Sequence, residues 1–187
     1  MEYDLLGWPP DGPQLRLDHE RFSYAGKFVM TTTGKAVARE DDSIVAAVAF
    51  NEDRTDAETL WLRYVTVARD RRGEGIGPDL LAYVRDRAID RGYDRLRIAV
   101  NNPFAYEALY RTGFAYTGEH TGIAELVLEH PVPDDADETP GERYRAGLEA
   151  FRDRDLSEDE TRFLERRRDS GPPEAGLESS TDDGRWD

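Results

Sequence analysis

Hydrophobic positions along the chain recur with two periods, and the switches between them mark the elements. Ser43–Phe50, with Ile44, Val45, Val48 and Phe50, predicts a strand, and Thr59–Val67 predicts another; the polar stretch Asn51–Glu58 is the loop between them. From Ile76 to Arg91 the period changes. Ile76, Leu80, Leu81, Val84 and Ala88 fall on one helical face, Arg and Asp on the other, and Gly92 supplies the stop. Arg95–Val100 predicts a short strand. Phe104–Arg111 predicts a short helix after Pro103, ended by Gly113, and Phe114–Thr117 and Ile123–Leu128 predict two last strands.

The ends of the chain carry weaker patterns. Residues 1–13 are rich in Pro and Gly and predict an irregular arm, anchored by Tyr3, Leu5, Leu6 and Trp8. Gln14–Arg39 reads as extended: Leu15 and Leu17 alternate, Phe28-Val29-Met30 follow, and Ala36-Val37-Ala38 resume after Gly34. The order of elements predicts one mixed α/β (α+β) domain around a central sheet, residues 1–130. Pro131–Pro140 is an acidic linker, and Glu142–Arg152 and Ser157–Arg168 predict two short helices, the second opened by a capping box of Ser157 and Glu160. Their apolar residues, Tyr144, Leu148, Phe151, Leu156, Phe163 and Leu164, are expected to pack on the same chain; covering an acceptor cleft or forming a homodimer contact are the alternatives. Residues 170–187 read as a disordered acidic tail.

Charge narrows the partners. A formal net charge of -15 disfavours nucleic acid and anionic membrane surfaces, which are bound through clustered Lys and Arg. The two lysines are Lys27 and Lys35, and every other fixed cation is Arg. An acidic chain so poor in Lys points to a halophilic protein whose self-repulsion is screened by salt. There is no Cys, and His19, His120 and His130 have no partners at ligand spacing, so no metal is expected. No apolar run reaches the roughly 18 residues of a membrane span and no leader pattern opens the chain, so a soluble, cytoplasmic protein is expected.

The candidate chemistry lies at the end of strand 59–67. Val65-Thr66-Val67 runs into Arg69-Asp70-Arg71-Arg72, then Gly73-Glu74-Gly75-Ile76-Gly77, where the helix begins. Glycines permit close backbone approach, and the first N–H groups of a helix lack internal partners at the positive end of its dipole. A phosphate or pyrophosphate suits such a turn. The phosphate loop Gly-x-x-x-x-Gly-Lys-Ser/Thr is absent, and the spacing Gly73-x-Gly75-x-Gly77 is not the dinucleotide fingerprint.

Three linked features stand in order: Val65-x-Val67 before Arg72-x-x-Gly75-x-Gly77, a later strand closing on Asn101-Asn102, and Ala108-Leu109-Tyr110 before Gly113-Phe114. Together, over about residues 43–128, they resemble the GCN5-related N-acetyltransferase (GNAT) superfamily. The resemblance implies a mostly antiparallel mixed sheet splayed between strands 59–67 and 95–100 and flanked by helices. It implies acetyl-CoA as co-substrate, its pantetheine along Val65, Thr66 and Val67 and its pyrophosphate on Arg72–Gly77. Arg71 and Arg72 would add charge, Glu74 its amide with the side chain turned away, and Asn102 a contact to the CoA arm. Tyr110 matches the tyrosine that protonates the departing thiolate, and direct attack by a primary amine is the implied reaction.

Two departures qualify the match. Members resembling this chain have seven residues from the Asn to the Tyr; here Asn102 and Tyr110 are eight apart, which makes Tyr106 a rival donor. The places of the family's glutamate bases hold Trp61 and Arg97, neither a proton acceptor; Glu58 and Glu125 are the nearest carboxylates in sequence, and a water chain or an amine arriving deprotonated serves equally. Arg63 and Arg97, on the two strands flanking the site, suit a substrate carboxylate or phosphate, so the expected acceptor is a small anionic amine. A non-catalytic acyl-CoA-binding module and a protein N-acetyltransferase are the alternatives. Residues 14–42 leave little room for the two helices that wall the acceptor pocket in the family.

Overall fold

A computed structural model describes residues 1–122, 124–134 and 137–175. The chain divides into two compact units, Met1–Arg97 and a second that opens at Ile98. Both are mixed α/β. The strand β5 (Arg95–Val100) begins in the first and ends in the second. Strand order is β1-β2-β3-β4-β5 in the first unit and β5-β7-β6 in the second.

The first unit carries β1 (Glu2–Gly7), β2 (Gly34–Glu40), β3 (Ser43–Glu52) and β4 (Thr59–Val67), each antiparallel to the next. The helix α1 (Ile76–Arg91) then leads to β5. Directly paired residues in an antiparallel ladder share a face. One face therefore carries Tyr3, Ala38, Ala46 and Val67 in one row and Leu5, Ala36, Val48 and Val65 in the next. Helix α1 covers this face: Tyr3 stacks on Tyr83 at 5.6 Å, and Leu80, Leu81, Val84 and Ala88 are fully buried. Each such leucine or valine contributes about 2 kcal/mol of apolar burial. The opposite face carries Val37, Ala47 and Ala49, covered by Leu15 and Phe28.

Two sequence expectations are corrected here. Residues 2–7 are an edge strand rather than an irregular arm, because Leu5 and Tyr3 find partners in Ala36 and Ala38. The anchoring aromatics hold as expected: Trp8 packs on Phe50 and Tyr93, with Arg91 over its ring. Leu15, Leu17 and Phe28 are not strand residues. Phe28 lies in a 3-10 turn, Ala25–Val29, and the alternation arises from a covering loop that dips onto the sheet. No α-helix occurs between residues 8 and 33.

The second unit holds α2 (Pro103–Arg111), β6 (Ala115–Thr121), β7 (Glu125–His130), α3 (Pro140–Arg152) and α4 (Glu158–Arg166). β6 and β7 form an antiparallel hairpin; Ile123, read as a strand residue, lies outside the described residues, as do residues 176–187 of the expected tail. Asn102 caps α2 through Oδ1, which accepts the Ala105 N–H at 2.8 Å, with Pro103 at the first helical position. Capping boxes open α3 (Thr139 with Glu142) and α4 (Ser157 with Glu160). Tyr144, Leu148, Phe151, Phe163 and Leu164 are buried, and Phe163 packs on Phe104 of α2 at 5.0 Å.

Candidate functional site

The turn after β4 has the shape the glycines demand. Gly73 and Gly75 have φ of 82° and 78°, the left-handed region that other residues enter only with strain. Gly75 is the N-cap of α1, and no side chain caps that end. Pro78 has no N–H and the Asp79 N–H returns to the Gly75 carbonyl at 3.1 Å, so the amides ahead of them are the ones that an anion would meet. The cluster of arginines before it is braced. Arg72 Nε reaches the Val67 carbonyl at 3.4 Å and its Nη2 reaches Ser23 Oγ at 3.1 Å. Arg71 grips Glu74 through Nε and Nη2 and Glu40 through Nη1. The Glu74 side chain lies on Arg71, whose guanidinium stands within reach of it on the same turn.

Strand β4 does not keep one parity. Ala49 pairs with Tyr64 and the next residue, Phe50, pairs with Leu62, so Arg63 is the extra residue of a β-bulge. Trp61, opposite Asn51, therefore lies on the face of Tyr64 and Thr66, and Val65 and Val67 on the other. Thr66 Oγ1 is buried there with no hydrogen-bond partner among the described residues. Arg63 donates Nε to Asn51 Oδ1 at 2.7 Å and lies over the Trp61 ring at 4.8 Å. Arg97 stands over the same ring at 5.8 Å. The indole N–H donates to Asp53 at 2.6 Å. The Thr55 amide, that indole and the Thr55 hydroxyl hold the Asp53 carboxyl down at about 2, which makes it a poor base. Of the two carboxylates nearest in sequence to the site, Glu58 is exposed just before β4, and Glu125 accepts from the Thr121 hydroxyl.

In the second unit the candidate donors lie in a cluster of tyrosines. Tyr106 and Tyr110, one turn apart on α2, have ring centroids 5.0 Å apart and hydroxyls 3.3 Å apart. Tyr106 Oη donates to the Tyr144 carbonyl at 3.0 Å, and the Tyr116 amide donates to Tyr110 Oη at 3.0 Å. Tyr106 is fully buried, whereas Tyr110 keeps 7% exposure. Burial pushes both phenols up, Tyr106 very far; hydrogen bonds from Tyr106 and the Tyr116 amide pull Tyr110 back. Counted seven from Asn102, the expected tyrosine position holds Leu109, also fully buried. The Asn102 side chain, expected to contact the cofactor arm, accepts the Ala105 N–H through Oδ1 and donates Nδ2 to Asn101 Oδ1 at 3.4 Å.

The partners of this cluster were not legible in sequence. Tyr144 also donates to Glu107, which is approached by Arg167 at 3.3 Å and Arg111 at 3.6 Å. Arg143, buried, donates to the Tyr116 carbonyl at 3.3 Å. The helical pattern of α3 signalled burial of Tyr144, Leu148 and Phe151 but not what they would meet. Among the described residues no group of three or more His, Asp or Glu could hold a metal, and no helix is long and apolar enough to cross a membrane.

A model of the acetyltransferase (GNAT) family matches residues 3–114. No curated protein sequence matches. Among solved structures, IAA acetyltransferase from Bacillus cereus is 19% identical with a TM-score of 0.51, over 68% of this chain and 97% of that one. Nourseothricin acetyltransferase is 26% identical with a TM-score of 0.44, over 54% of this chain. PaiA N-acetyltransferase from Thermoplasma acidophilum, solved with coenzyme A, is 18% identical with a TM-score of 0.44, over 51%. The chain spans 66% and 58% of the lengths of those two. The family match runs from β1 through α2 to Phe114 and takes in the β4–turn–α1 segment, more than half of the chain; the protein belongs to the acetyltransferase (GNAT) family.

Proposed function

We propose that this protein is an acetyl-CoA-dependent N-acetyltransferase acting on a primary amine of a small anionic molecule. The observation that carries this reading is the glycine-shaped, uncapped start of α1 directly after β4. When bound there, acetyl-CoA supplies the acetyl group as an activated thioester. Amides of Arg72–Gly77 hold its pyrophosphate. An N–H of Val65–Val67 takes the carbonyl oxygen as it gains charge. The amine attacks directly, and Tyr110, the more accessible of the two tyrosines of α2, gives its proton to the departing sulfur. Arg63 and Arg97 flank Trp61 and suit a carboxylate or phosphate on the acceptor. With Trp61 and Arg97 in the places of the family's bases, the amine arrives deprotonated or loses its proton through water. Composition supports placing this activity in a salt-rich cytoplasm.

Titration calorimetry with acetyl-CoA, at low and high KCl, tests the cofactor half. Saturable binding is expected, weakened at least about tenfold in Gly75→Glu by an added like charge and by a side chain in the left-handed region. Absence of binding by folded protein would overturn the reading. A second reading, a non-catalytic acyl-CoA-binding module, is favoured by the missing base. It predicts binding without transfer to any amine, and without loss in Arg63→Ala or Arg97→Ala.

A further inference from the structure

The Tyr106 hydroxyl has one proton and two acceptors. The Tyr144 carbonyl lies at 3.0 Å and Tyr110 Oη at 3.3 Å. Nothing apolar separates them, and Tyr106 is held fully buried between α2 and α3. The fit is tight: a Cβ on Gly147 of α3 would fall 2.0 Å from Tyr106 Oη, so a glycine is what lets the helix close on this hydroxyl. Tyr106 also meets Tyr144 at 5.9 Å and Phe151 at 5.7 Å between ring centroids, and these fix its plane.

We infer that Tyr106 is a positioning residue for Tyr110, set in place by α3. The inference rests on the acetyl-transfer reading above. While Tyr110 is protonated, the Tyr106 proton lies on the Tyr144 carbonyl. When the Tyr110 proton passes to the departing thiolate, the phenolate left behind carries a full charge in a nearly dry site. The Tyr106 O–H then turns from Tyr144 to Tyr110, where the Tyr116 N–H already donates. The phenolate is held by two donors until a solvent proton restores it, and no other bond changes. A hydrogen bond to an ionised oxygen is stronger than one to a neutral carbonyl, so the turn follows the charge. Arg143, which donates to the Tyr116 carbonyl, favours the same phenolate through its charge. Helix α3 lies beyond the family match at residues 3–114.

The charged and titratable groups around Tyr110 are Tyr106 on α2, Tyr116 on β6, Glu138 before α3, and Arg143 and Tyr144 on it. The test removes one hydroxyl and reads one phenol. A trifluorotyrosine at position 110 ionises near neutrality in a peptide, far from the alkaline range of the other phenols, and its fluorine resonance reports its charge. In Tyr106→Phe the titration of that residue is expected to move up by about one pH unit, a tenfold change in its acid constant. With native Tyr110, Tyr106→Phe is expected to lower kcat about tenfold with KM for acetyl-CoA unchanged. A loss of kcat with an unmoved fluorine titration would make Tyr106 merely structural and overturn the inference alone. Absence of amine acetylation by the unaltered protein would overturn the acetyl-transfer reading and this inference with it.

Discussion

The two units solve opposite electrostatic problems. The first sets its candidate groups as charges at the surface: Arg71 between Glu40 and Glu74, Arg63 and Arg97 on Trp61. The second buries neutral hydroxyls, four tyrosines whose phenols are all pushed up chiefly by loss of water. Exposed ion pairs are worth little and are screened by salt, so they can exchange partners for a ligand at small cost. A buried hydroxyl network tolerates no loose end. The contacts of the first unit can be given up to an arriving anion; those of the second can only be exchanged among its own buried groups.

The largest expected effect tests that rigidity. Gly147→Ala puts a methyl group where Tyr106 Oη and Cζ stand, 2.0 and 2.4 Å away. Destabilisation by about 3 kcal/mol is expected in urea unfolding, although alanine is the better helix former. A stabilised variant would show that α3 rides loosely on the tyrosines. Next comes alkali. Phenols of the unfolded chain ionise at about 10. In the fold Tyr106, Tyr110, Tyr116 and Tyr144 hold their protons beyond that, so the folded state binds more protons above pH 10. Their contribution is complete below pH 10 and is lost as pH rises further. In the first unit Tyr93 is pushed up to about 12 by burial and its bond to Glu52. Hydrogen exchange followed between pH 9 and 12 should show amides of the second unit losing protection before those of the first.

Smaller effects separate the units further. Ser157→Ala removes the cap of α4 and is expected to cost about 1 kcal/mol, read as a lower thermal midpoint. Glu74→Gln should loosen Arg71, which Glu40 still holds, and remove a negative charge from the turn, tightening CoA two- to fivefold at low salt and hardly at all in molar KCl. Equal tightening at both salts would show that the effect is not one of charge.

The sequence pattern revealed what local periodicity controls. Ile76–Arg91 was legible because one of its faces is continuously buried, and β4 because it is rich in apolar, aromatic and β-branched residues. The capping box at Ser157 was legible because both its members lie within four residues. What escaped depends on distant partners. β1 has too few apolar residues to signal a strand until Ala36 and Ala38 lie opposite it. The bulge at Arg63 is a mismatch between two strands, and neither shows it alone; strict alternation along β4 would join Trp61 to Val65 and Val67, from which the pairing separates it. The glycine turn could be read as an anion site, but not that Glu40 and Glu74 would share Arg71. The tyrosine pair of α2 was visible at its spacing of four, whereas Tyr116, Arg143 and Tyr144 reach it from other elements.

Lys35 has a consequence for the chemistry proposed here. Its ammonium is fully buried, donating to the Met30 and Thr33 carbonyls and the Thr33 hydroxyl at 2.5–3.0 Å, and burial lowers its pKa. A protein that holds a reactive thioester exposes its own amines to it at high effective concentration. With Lys35 caged, Lys27 is the one lysine at the surface, its head lying over the Tyr64 ring. On that chemistry, self-acetylation of lysine side chains is expected at Lys27 alone. Mass spectrometry after long incubation with acetyl-CoA should find the label on Lys27 and none on Lys35, so that arginine, which does not accept an acetyl group under these conditions, carries the remaining positive charge of the molecule without consuming its co-substrate.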